Sequence, residues 1–82
     1  MRFIDDPVEV VVHVGTDGDV RPLSFTWRGQ RYPVTGLGRT STLDDKRYFL
    51  VMTAGDRVFE LCWHTSDNHW RLTRAPEGRV VV

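Results

Sequence analysis

Cys62, His64 and His69, with Asp67 between the histidines, are the densest local set of chemistry-bearing side chains in this 82-residue chain. Thiolate and neutral imidazole are zinc ligands, and a structural site takes three or four of them in tetrahedral array. The spacing C-x-H-x4-H matches no standard finger, so the alternative is a pair of hairpin-end imidazoles beside a small buried thiol. Two imidazoles could also act as general acid and base. Nothing in the sequence supplies an oriented nucleophile or an oxyanion hole to go with them. The chain is therefore expected to be neither a metalloprotein nor an enzyme and to need no cofactor, with Cys62, His64 and His69 as its metal candidates.

The second set lies in PLSFTWRGQRYPV, residues 22–34, where Phe25, Trp27 and Tyr32 alternate with Arg28 and Arg31. Small β-barrels bind single strands by stacking bases on exposed aromatics beside a basic groove. Trp27, Arg28, Arg31 and Tyr32, with Arg39 and Arg47 further along, are the candidate contacts for such a partner. The alternative is that the aromatics fill a core that needs every large side chain. Three weaker signals resolve to ordinary chemistry. Glu60 suits a cross-strand ion pair. GTDGD at residues 15–19 lacks the terminal Glu and flanking helices of a calcium loop and reads as a turn. GLGRTS at residues 36–41 lacks the Lys of a phosphate-cradling loop.

The elements that must position these groups are strands. VEVVVHV, residues 8–14, puts valine at every second position, the signature of a strand with one apolar face. A two-residue turn at Arg28 and Gly29 pairs Trp27 with Gln30, Phe25 with Tyr32 and Leu23 with Val34, and sorts the aromatics onto one face away from Arg31. Residues 35–46 show no periodicity and read as the longest loop. A turn at Gly55 and Asp56 pairs Tyr48 with Trp63, Leu50 with Leu61 and Met52 with Phe59. A turn at residues 65–68 pairs His64 with His69, Trp63 with Trp70 and Leu61 with Leu72. The expected core face is Tyr48, Leu50, Met52, Phe59, Leu61, Trp63, Trp70 and Leu72. RVVV, residues 79–82, reads as a short last strand and residues 1–7 as an arm. The sum is a single all-β domain over residues 1–82: five or six antiparallel strands in a meander, curling into a small SH3-like barrel or half-barrel.

Composition narrows the partners. Lys and Arg together number 11, as do Asp and Glu, so there is no basic excess for strong non-specific binding to nucleic acid or anionic membrane. The longest apolar run, YFLVM, is far short of a membrane span. The single cysteine and the absence of an apolar leader place the expectation in the cytoplasm.

Phe25, Trp27, Arg28, Gly29, Tyr32 and Val34, followed by Val58, Phe59, Glu60, Leu61, Trp70 and Leu72, resemble a family of short uncharacterised bacterial proteins with an F-x-W-R-G-R-x-Y-x-V hairpin. Gln30 stands where that pattern has Arg, with Arg31 next to it. The resemblance carries no activity. It implies genes beside translesion-type DNA polymerases, and hence an accessory role in mutagenic DNA repair. The functional expectation is a non-enzymatic binding module contacting DNA or a repair polymerase. The alternative is a protein-interaction or homodimerisation domain with no nucleic-acid role.

Overall fold

A computed structural model describes residues 2–76 of the chain. Eight strands follow one another: β1 (Arg2–Pro7), β2 (Glu9–Val14), β3 (Val20–Trp27), β4 (Gln30–Pro33), β5 (Gly36–Leu43), β6 (Lys46–Thr53), β7 (Arg57–His64) and β8 (His69–Ala75). They form a five-stranded sheet in the order β1-β8-β7-β6-β5 and a three-stranded sheet in the order β2-β3-β4. All hydrogen-bonded neighbours are antiparallel. The expected all-β class stands. The five- or six-stranded meander becomes eight strands in two sheets, and neither sheet closes into a barrel.

Two of the added strands come from segments read as irregular. Residues 2–7 are no loose arm: Arg2 pairs with Ala75 and Pro7 with Arg71, so β1 covers what would be the open edge of β8. This pairing joins strands from opposite ends of the chain, and local sequence pattern carries no signal for it. Residues 35–46 are no loop: Gly36–Leu43 is an edge strand on β6. Its side chains are almost all exposed, so nothing forces alternation on them. The strand is held by backbone bonds to β6, with a bulge between Leu37 and Thr40. RVVV lies outside the described residues.

The β3–β4 hairpin has the expected register, with Trp27 opposite Gln30 and Phe25 opposite Tyr32. Arg28 (φ 51°) and Gly29 (φ 77°) both take the left-handed region, the type I′ geometry that matches the twist of paired strands. Leu23 leaves the expected face. β3 bulges against β2 there, so that Pro22, Ser24 and Phe25 are buried while Leu23 is exposed. The valine face of β2 is realised only in part. Val8 and Val10 pack on the core, whereas Val14 is exposed.

The β7–β8 hairpin also has the expected register, His64 opposite His69 and Leu61 opposite Leu72. The β6–β7 hairpin does not. Its turn takes residues 54–56, one more than expected, and pairs Val51 with Phe59 and Phe49 with Leu61. That slip of one residue turns over every side chain of β6. Phe49 and Val51 are buried in the core, and Tyr48, Leu50 and Met52 lie half-buried on the opposite face. YFLVM is apolar on both faces, so alternation had no power to choose between the registers.

The core is the space between the sheets. The hairpin β3–β4 crosses the five-stranded sheet, tied to β6 at one end by Thr35 N–H to the Met52 carbonyl (2.7 Å) and to β1 at the other by Trp27 and Arg28 to Asp6. Phe59 sits beneath it, ring centroids 5.1 Å from Phe25, 6.2 Å from Trp27 and 5.3 Å from Tyr32. Edge-to-face and tilted contacts of this kind add about 0.5–1.5 kcal/mol per pair beyond area burial. With Phe49, Val51, Leu61, Leu72 and Ala75 they make one cluster.

Candidate functional site

The hairpin aromatics answer to the core before they answer to a partner. Trp27 is 8% exposed and Phe25 1%. Tyr32 is half-buried, its ring stacked on Phe25 at 5.0 Å. Burial of Trp27 requires a partner for its indole N–H, and Nε1 donates to Asp6 Oδ2 at 2.9 Å. That donation, then the charge of Arg28, holds the Asp6 carboxyl below the usual carboxylate range, against a partial desolvation that pushes it up. Arg28 lies 4.7 Å from the Trp27 ring centroid and 3.2 Å from Asp6 Oδ2, so it closes the clamp from outside. Asp6 has no signal for this role in the sequence, because its partner Trp27 lies 21 positions away on the other sheet.

The other arginines divide by their partners. Arg71 bonds Asp5 through its Nε and the Asp5 carbonyl through Nη2. Arg74 Nε lies 3.5 Å from Glu60 Oε1, an oxygen that already accepts from Thr73 Oγ1 at 2.7 Å. Glu60 therefore does make a cross-strand ion pair, with Arg74, because a bulge between Glu60 and Leu61 brings Arg74 opposite it. Arg21, Arg31, Arg39, Arg47 and Arg57 have no carboxylate partner among the described residues. Arg39 and Arg47 do not join the hairpin. Arg39 lies in the bulge of β5, and Arg47 rests against Phe49 (5.2 Å) and Trp63 (5.8 Å) near the far end of β6.

Arg31 does meet a new neighbour. β4 and the β6–β7 turn enclose an open cleft of about 190 Å³ lined by Gln30, Arg31, Tyr32, Thr53 and Arg57 among others, with no carboxylate in its wall among the described residues. Arg57 follows the Gly55–Asp56 turn and carries no site signal of its own in the sequence. Its guanidinium lies 5.6 Å from the Phe59 ring centroid, fixing it on the aromatic floor of the sandwich.

The histidine–cysteine set shares one face, since Cys62 stands opposite Arg71 and His64 opposite His69. Its members do not converge. The imidazoles meet edge to face at 6.2 Å, and among the described residues no three His, Cys, Asp or Glu side chains form a metal cluster. The Cys62 thiol is buried, which pushes its pKa up and makes it a poor nucleophile.

Fold and surface together define a small two-sheet β domain with arginine-bearing faces. Residues 1–77 match the family described as Domain of unknown function (DUF6504), and the chain belongs to that family. No curated protein and no solved structure matches it.

Proposed function

We propose that the chain is a non-enzymatic binding module that contacts DNA through its unneutralised arginines. The observation that carries this reading is the sorting of charge. Arg21, Arg31, Arg39, Arg47 and Arg57 stand on strands without carboxylate partners among the described residues. The carboxylates of Asp17, Asp44, Asp45, Asp56 and Asp67 are held in turns. A net charge of zero thus coexists with local positive surface, and local fields act on a polyanion within a Debye length of about 8–10 Å. The resemblance to bacterial proteins encoded beside translesion polymerases supports DNA, or the polymerase on it, as the partner. The burial of Trp27 moves the contact from stacked indole to guanidinium and phosphate. Amide NMR spectra of the labelled protein, titrated with single-stranded and duplex DNA at low and physiological salt, test it. Salt-sensitive shifts around β4 and the β6–β7 turn are expected. Unchanged spectra at low salt would refute the reading.

A second reading rests on a different surface. The face of the five-stranded sheet turned away from Phe49 and Val51 carries Tyr48, Leu50, Met52 and Val58, all half-buried, and β5 is an edge strand among the described residues. Such a face and edge suit a protein partner or a second copy. Sedimentation velocity over a wide concentration range decides the self-association arm. A monomer throughout would remove it.

A further inference from the structure

We propose that the cleft between Arg31 and Arg57 is a phosphate site that takes a phosphomonoester, the terminal phosphate of a nucleic-acid strand. The strand as source rests on the DNA reading above, whereas the site itself does not.

Two arginines from different sheets line one cavity. Arg31 comes from β4, opposite Thr26. Arg57 opens β7, opposite Thr53 of β6. Both line the cleft of about 190 Å³, together with Gln30, Tyr32 and Thr53. Arg57 packs over Phe59. A guanidinium laid on a ring keeps its edge N–H groups for an oxyanion and loses little further entropy on binding one. Gln30 and Thr53 bring an amide and a hydroxyl, neutral donors for the remaining phosphate oxygens. Asp56 precedes Arg57 in the turn, yet no carboxylate among the described residues lines the cleft.

The charge count selects the ligand. A phosphomonoester carries about −1.5 to −2 at neutral pH, matching two guanidiniums, while an internal phosphodiester carries a single charge. Bidentate arginine–phosphate pairing adds geometric selection for the monoester's three free oxygens. A strand end and a small phosphorylated metabolite share this chemistry, so the experiment separates them.

The full chain, labelled on arginine Nε, is titrated with inorganic phosphate at neutral pH, then with single strands carrying either a 5′-phosphate or a 5′-hydroxyl. Saturable shifts of the Arg31 and Arg57 signals by phosphate are expected. The 5′-phosphorylated strand should bind about tenfold tighter than its 5′-hydroxyl counterpart, the worth of one charged hydrogen bond. Arg57→Gln should remove that preference and Arg57→Lys restore part of it, with thermal midpoints near wild type as the folding control. Phosphate binding without binding of either strand would support the site with a small-molecule source and overturn the DNA reading. Strands bound equally well with or without the 5′-phosphate, and unaffected by Arg31→Ala and Arg57→Gln, would overturn the site and leave the DNA reading standing. Arginine signals untouched by phosphate would overturn it as well.

Discussion

Trp27 and Asp6, 21 positions apart, are joined by a 2.9 Å hydrogen bond from the buried indole N–H to the carboxylate. This bond ties the small sheet to the edge strand of the large one. Asp6→Ala should lower the thermal midpoint more than Arg28→Ala does. The first leaves a buried donor without an acceptor, while the second removes a largely exposed ion pair that solvent screens. Thermal melts of both variants check the order.

The same pair sets an acid dependence. The Asp6 carboxyl, held low first by Trp27 and then by Arg28, has a folded pKa below its unfolded value. Its contribution is therefore present above the ordinary carboxylate pKa of about 4 and fades as pH falls through the lowered value. The stability gap between wild type and Asp6→Asn should be constant at pH 5–7 and shrink below about pH 4. Urea unfolding across that range measures it, and a gap unchanged in acid would contradict the coupling.

The register of β6 predicts an unequal pair of truncations. Phe49→Ala should cost about 3–5 kcal/mol, because the ring is enclosed on all sides. Leu50→Ala, one residue on, should cost clearly less, since Leu50 lies half-buried on the open face. Denaturant unfolding decides it. The opposite ranking would restore the register with Leu50 facing Leu61.

Salt dependence separates neutralised from free arginines. Arg31→Ala should reduce the slope of log K against log salt by about 0.7 for single-stranded DNA, the value of one phosphate contact. Arg28→Ala should leave the slope nearly unchanged, because Asp6 already balances that charge. Fluorescence anisotropy at several salt concentrations gives both slopes.

Cys62 should be inert in the folded chain. Burial raises its pKa, so a thiol reagent at pH 8 should label it slowly in native protein and rapidly in urea. Fast native labelling would place the thiol in a far more open setting.

Local chemistry by itself determined two hairpins. At Arg28 and Gly29 a tight turn with aromatics on alternate residues leaves one register that keeps them on one face, and at residues 65–68 the paired Trp63 and Trp70 do the same. Burial of Phe25, Phe59, Leu61 and Leu72 follows from that alternation. The tertiary structure decided the rest wherever the sequence pattern was degenerate or the partner distant. Tyr48 to Met52 is apolar on both faces, and only packing against Phe25 and Phe59 selects Phe49 and Val51 for the interior. Gly36–Leu43 is exposed on both faces, so its strand character comes from the backbone of β6 and leaves no periodicity to read. The clamp on Trp27 and the cleft at Arg31 each need a residue from the other sheet, Asp6 and Arg57. A hydrogen bond or a shared cavity between residues 21 or 26 positions apart has no one-dimensional signature.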